Sequence, residues 1–231
     1  MPADFAQIIQ QISIMALPAI FAITFHEAAH GFVAHRLGDD TAWRMGRVTF
    51  NPLRHIDPIG TILIPLLLLF TTGGRFVFGY AKPVPVNFGR LNRPRIDMVW
   101  VALAGPFTNI ILALISALLV YLLPYVPRSG LQWAQGNLIM SINFNILLAV
   151  FNMIPLPPLD GGRVAVGLLP DALAFPLARL ERYGLLIIIG LLVVLPSLGE
   201  RLHLDLDVFK YAVGIPADYL RDLILRVTGV A

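Results

Sequence analysis

From Val99 to Leu123 the chain runs 25 residues without a charged side chain. As a helix that run is about 37 Å long, enough to cross the ~30 Å hydrocarbon core of a bilayer. A helix satisfies its own backbone polar groups in lipid, which an open strand cannot do. Further apolar segments repeat the pattern. A first helix is predicted over Phe5 to Leu37, with its apolar stretch at Ile12 to Phe25 and a kink at Pro18. Asn137 to Ile154 is a second long segment, and Pro155, Pro157 and Pro158 stop it; its Asn143, Asn145 and Asn152 are expected to face protein or a wet cavity. Tyr183 to Leu198 is a shorter one. Ile59 to Phe70, only 12 residues with Pro65 inside, is too short for a span and reads as re-entrant.

The expected fold is an all-α polytopic membrane protein. It has about four to six transmembrane or re-entrant helices, with a small strand or loop element over Gly73 to Arg95, between the first and second full spans. Asp207 to Val227 reads as an amphipathic helix at or near the interface. The chain is expected to form one membrane-embedded domain over residues 1–231, with a core over 5–163 and C-terminal helices over 171–231.

Composition supports a lipid bilayer as the surroundings: 57% of residues are hydrophobic and 13% charged, against about 25% charged in an average soluble domain. The net charge is +3, but the basic residues are spread through loops without interleaved aromatics, so nucleic acid is not an expected partner. There is no cysteine, which excludes disulfides and thiolate-held metals. Any metal must rest on His and carboxylate. Met1 to Gln11 has no basic residue ahead of the apolar stretch and no small-residue cleavage pattern, so a removable signal peptide is not expected.

The basic residues also speak to orientation. With Ile59 to Phe70 re-entrant, Arg36, Arg44, Arg47, Arg54, Arg75, Lys82, Arg90, Arg93 and Arg95 share one side with Arg163, Arg179 and Arg182. The opposite side keeps Arg128. The positive-inside rule makes the crowded side cytoplasmic. The same parity brings the end of the first helix and the end of Asn137 to Ile154 to one side, so that Asp160 can meet His26 and His30.

Those residues carry the chemistry. His26 and His30 are four positions apart and share one helix face, where two imidazoles can bind one tetrahedral metal ion. Glu27 lies about 100° around the helix, placed to take a proton from a water at the metal rather than to ligate it. Two histidines leave zinc one protein ligand short. By itself Leu159-Asp160-Gly161-Gly162 reads as a turn with a capping Asp; the incomplete metal shell and the parity argument make Asp160 the best candidate for the third ligand.

Three segments, in order, resemble the site-2 protease family of intramembrane zinc metalloproteases. They are Phe25-His26-Glu27-Ala28-Ala29-His30-Gly31, Ala104-Gly105-Pro106-Phe107-Thr108-Asn109, and Phe151 through Asn152, Pro155 and Asp160 to Arg163; Lys82-Pro83-Val84-Pro85-Val86-Asn87 adds to them. The resemblance is to a compact form without a PDZ or nucleotide-sensing (CBS) domain. It implies one Zn2+ per chain held by His26, His30 and Asp160, with Glu27 as catalytic base. By the same resemblance Asn152 holds the substrate carbonyl and its oxyanion, and Asn109 is a core polar residue near the site. The implied partner is a membrane-protein substrate helix, and the implied setting a prokaryotic plasma (inner) membrane with the site towards the cytoplasm.

Two other readings stand beside it. A zinc transporter or sensor would string ionisable residues along the spans, which here are nearly uncharged after the first. A non-proteolytic membrane chaperone would have no use for a base beside the metal. Among the remaining residues, His35 lies about 140° around from His30 and is expected at the interface rather than on the metal. His55 and His203 are expected to be solvated. Gly105 and Pro106 are expected to allow close packing or a kink, and Trp43, Trp100 and Trp133 to sit at helix ends in an aromatic belt.

Overall fold

The computed structural model describes residues 5–64, 66–67 and 82–230. The first helix, α1 (Phe5–Arg36), contains Pro18 and stops at Gly38. There Asp39 N donates to Ala34 O, Gly38 N to His35 O, and Gly38 takes φ +110°, the left-handed stop that glycine favours. A short α2 (Thr41–Arg44) follows. Its approach is fixed by the fully buried Asp39, whose Oδ1 accepts from Thr41 N at 3.0 Å and whose Oδ2 accepts from Asn87 N at 2.6 Å.

Pro58–Leu63 forms a widened helical turn capped by Asp57, which accepts from Ile59 N and Gly60 N. Residues 68–81, where the re-entrant segment ends and the strand or loop element was expected to begin, lie outside the described residues. Over 82–87 the chain has no regular structure, and no strand occurs among the described residues. The long helices α3 (Pro94–Leu119), continued by tight turns over Val120–Tyr125, and α4 (Arg128–Asn152) come next. Then follow α5 (Asp160–Leu168), α6 (Asp171–Arg179), α7 (Gly184–Ile189), α8 (Leu195–Leu202) and α9 (Ile215–Thr228).

Among the described residues four stretches are long and apolar enough to cross a membrane: Ile9–Arg36, Pro94–Tyr125, Arg128–Asn152 and Asp171–Gly199. The protein is an all-α polytopic membrane protein. Its centre is α1, α3 and α4. Helices α1 and α3 run antiparallel, since Asn109 meets Ala22 O while Val101 O meets His30. Helix α4 is antiparallel to α3, with Ser116 opposite Ser141 and Asn109 opposite Asn145. Small residues set the closeness: Ala113 and Ala117 of α3 pack with Ile142 and Ile146 of α4 and Ile224 of α9.

Four expectations are corrected. Helix α4 begins at Arg128 rather than Asn137, because Pro127 starts it and the helix carries Gln132 and Gln135 on exposed positions. Tyr183 to Leu198 is not a separate short run but part of the candidate span Asp171–Gly199. The C-terminal helix does not lie along the interface: Ala217, Leu220 and Ile224 make an apolar stripe packed on α3 and α4, and Tyr121 donates to Thr228 O at 3.0 Å. Asn143 is exposed, whereas Asn145 is buried.

Candidate metal centre

Two helices far apart in the chain bring three candidate ligand atoms to one point. His26 and His30 stand one turn apart on α1, and Asp160 opens α5. Their side chains are all buried. His30 Nε2 lies 3.1 Å from His26 Nε2, and Asp160 Oδ2 lies 3.2 Å from the first and 3.3 Å from the second of His26 Nε2 and His30 Nε2.

The neighbours decide which protons these atoms carry. His30 Nδ1 faces Val101 O at 2.7 Å, and a carbonyl can only accept, so Nδ1 carries a proton and, in the neutral ring that a metal needs, Nε2 keeps its lone pair. His26 Nδ1 faces Asn109 Oδ1 at 2.6 Å. The Asn109 amide cannot be the other way round, because its Nδ2 donates to Ala22 O at 3.2 Å and to Asn145 Oδ1 at 2.8 Å. Asn145 is fixed in turn by donating to Ser141 O at 2.9 Å. Both Nε2 atoms therefore present lone pairs, and the buried Asp160 Oδ2 has no hydrogen-bond donor.

Three acceptors this close repel one another unless a cation joins them. Their near-equal spacing fits one: tetrahedral zinc with ligands at about 2.0–2.1 Å puts neighbouring ligand atoms about 3.3–3.4 Å apart. No other trio of His and carboxylate groups comes together in this way among the described residues.

Glycines make the convergence possible. A Cβ on Gly105 of α3 would lie 2.5 Å from His26 Cε1 and from His30 Nε2. Gly105 does more than ease helix packing, as it leaves the space the imidazoles occupy. The loop before Asp160 folds back on the first turn of α5, where a Cβ on Gly162 would lie 2.1 Å from Pro157 N, and one on Gly161 2.2 Å from Met153 O.

A family comparison settles the class. Residues 14–144 match the model of peptidase family M50. The chain belongs to peptidase family M50. It is a metallopeptidase, and the matched stretch includes His26, Glu27, His30, Gly105 and Asn109, with Asp160 beyond its end. Relatives named "Putative zinc metalloprotease" include the following two. YwhC of Bacillus subtilis is 38% identical over 183 residues, covering 78% of this chain and 80% of the relative. MJ0611 of Methanocaldococcus jannaschii is 30% identical over 161 residues, covering 70% and 72%. No solved structure matches the chain significantly.

The M50 chain's other expected site residues fall as follows. Glu27 accepts from Val84 N at 2.7 Å through Oε2. Asn109 touches His26 directly rather than merely lying nearby. Asn152 is half-buried at the end of α4 and donates to Leu148 O of its own helix at 3.0 Å, with no hydrogen bond to the three clustered side chains. His35 pairs with Asp40 at 2.7 Å and stacks on Trp43, away from the cluster. His203 is exposed. His55 corrects an expectation: it is 2% exposed, because its loop folds inward and Nε2 donates to Thr49 O at 3.0 Å. The sequence reading missed Val101 O, Asn145 and Val84 N. Asn145 had a signal, an amide within an apolar span; the two backbone groups had none.

Proposed function

We propose that this M50 peptidase is a zinc-dependent endopeptidase cutting membrane-embedded segments of other membrane proteins, with His26, His30 and Asp160 holding the ion and Glu27 as general base. The carrying observation is the buried, acceptor-only triangle of His26 Nε2, His30 Nε2 and Asp160 Oδ2 between apolar helices. Its depth supports the intramembrane part. The imidazoles meet α3 at Val101 and Gly105, which at 1.5 Å per residue lie about 10 and 16 Å from the start of that span.

Zinc bound here would polarise the scissile carbonyl and lower the pKa of a water towards ~7. Glu27 keeps Oε2 on Val84 N–H and has Oε1 free of partners among the described residues. It takes the proton of the attacking water and returns it to the amine as the C–N bond breaks. Asn152 spends one N–H on Leu148 O and has a second to offer the carbonyl oxygen as charge builds there. Asn109 and Val101 O hold the two imidazoles in the ligating tautomer.

A substrate helix must unwind locally, because its peptide groups are otherwise closed by their own hydrogen bonds. Room for apolar side chains exists next to Gly105 in the chain: a cleft of about 390 Å³ between the start of α9 and helices α3 and α4 is lined by residues including Pro106, Ile110, Ala149, Pro216 and Leu220. The chain acts as one domain, with the core over 5–163 and helices over 171–231 completing it. In a prokaryotic plasma membrane, with residues 59–70 re-entrant, the crowding of basic residues on one side supports a site towards the cytoplasm. The reading is tested with full-length protein in vesicles and a single-span substrate. Glu27→Gln should keep its zinc and lose cleavage, and retained cleavage overturns the role of Glu27.

A further inference from the structure

Arg47 is a charged side chain with no charged partner among the described residues. It is 8% exposed, it forms no ion pair among the described residues, and its Nε has no acceptor. Its Nη2 donates instead to Lys82 O at 2.8 Å and to Pro83 O at 3.3 Å. A buried cation with only carbonyls around it is costly unless something nearby balances it.

We propose that Arg47 is a positioning residue for Glu27, acting through the single peptide group that joins Pro83 to Val84. That peptide's oxygen faces Arg47, and its N–H donates to Glu27 Oε2 at 2.7 Å. In a trans amide the two point in opposite directions, so cation and carboxylate grip one rigid plane from its two edges. Turning that plane would withdraw the donor from Glu27, and Arg47 resists the turn. The charge of Arg47 is balanced across the amide dipole by the carboxylate it aligns.

The surrounding contacts hold this peptide against α1. Lys82 N donates to His55 O at 2.9 Å, and the buried His55 ties its own loop through Thr49 O. One turn beyond Glu27, Gly31 makes the seat: a Cβ there would lie 2.8 Å from Val48 Cγ2 and 3.0 Å from Val84 Cγ1.

The inference rests on Glu27 being the base, and the test separates the two. Full-length protein in vesicles is assayed on a single-span substrate for kcat, KM and zinc content. Arg47→Met and Val84→Pro, the latter deleting the N–H between two existing prolines, should each lower kcat about 10–100-fold with KM and zinc unchanged. Val84→Ala keeps the N–H and Arg47→Lys keeps a donor, and both should stay within about threefold of wild type, while the double variant Arg47→Met/Val84→Pro should be no worse than Val84→Pro alone. Full kcat in Val84→Pro beside an inactive Glu27→Gln overturns the positioning role and spares the base. Cleavage by Glu27→Gln overturns the base and the inference with it. Zinc loss in Arg47→Met, or additive effects in the double variant, overturns the inference by making Arg47 a structural cation.

Discussion

Asn109 Oδ1 lies 2.6 Å from His26 Nδ1, and the amide presenting it is pinned from two sides by Ala22 O and Asn145 Oδ1. One side chain on α3 thereby sets the tautomer of a histidine on α1, and a second amide on α4 sets the first. Asn109→Leu should leave His26 free to protonate Nε2. Zinc affinity should fall about 10–100-fold, the range typical of lost outer partners of metal ligands. Competition against a chelator of known affinity measures it, and Asn145→Ala should show a smaller loss in the same direction.

Gly105→Ala is the smallest change that should empty the site. Its methyl would stand 2.5 Å from atoms of both imidazoles, on a helix backbone that cannot recede without disturbing α1. Metal analysis should find zinc lost or strongly reduced while helix content by circular dichroism is preserved.

Gly162→Ala probes how the loop before Asp160 packs on the first turn of α5. The added carbon would sit 2.1 Å from Pro157 N, a backbone atom that cannot swing aside as a side chain can. Overpacking of this kind costs about 1–3 kcal/mol, occasionally more. Thermal unfolding in detergent should shift down, and the shift should persist with zinc in excess.

Chelation should destabilise the protein as well as silence it. An ion bound to the folded state alone adds about 4 kcal/mol at a thousand times its dissociation constant. The melting temperature should therefore drop on zinc removal and return on zinc addition. In His26→Ala it should not respond to zinc.

The spans were legible because Val99 to Leu123 and its companions are continuous apolar runs, and because His26, Glu27 and His30 share a short helical spacing. Asp160 was reachable from parity and from the ligand zinc still lacked. Less legible was whatever tertiary contact decides. His55 sits among polar neighbours in sequence, yet its loop turns it inward. The C-terminal helix carries Asp218, Arg221 and Asp222, which suggested an interfacial position, while its Ala217, Leu220 and Ile224 stripe docks on α3 and α4. Arg47 and Val84 are 37 positions apart, by subtraction of their numbers, and meet through backbone groups that no side-chain pattern announces.

The most direct measurement is the zinc content of purified protein, wild type against Asp160→Ala. One ion per chain in the wild type and in Glu27→Gln, with the ion lost or held far more weakly in Asp160→Ala, is the predicted result. An Asp160→Ala protein that keeps one zinc per chain at wild-type affinity would contradict a centre built from His26, His30 and Asp160.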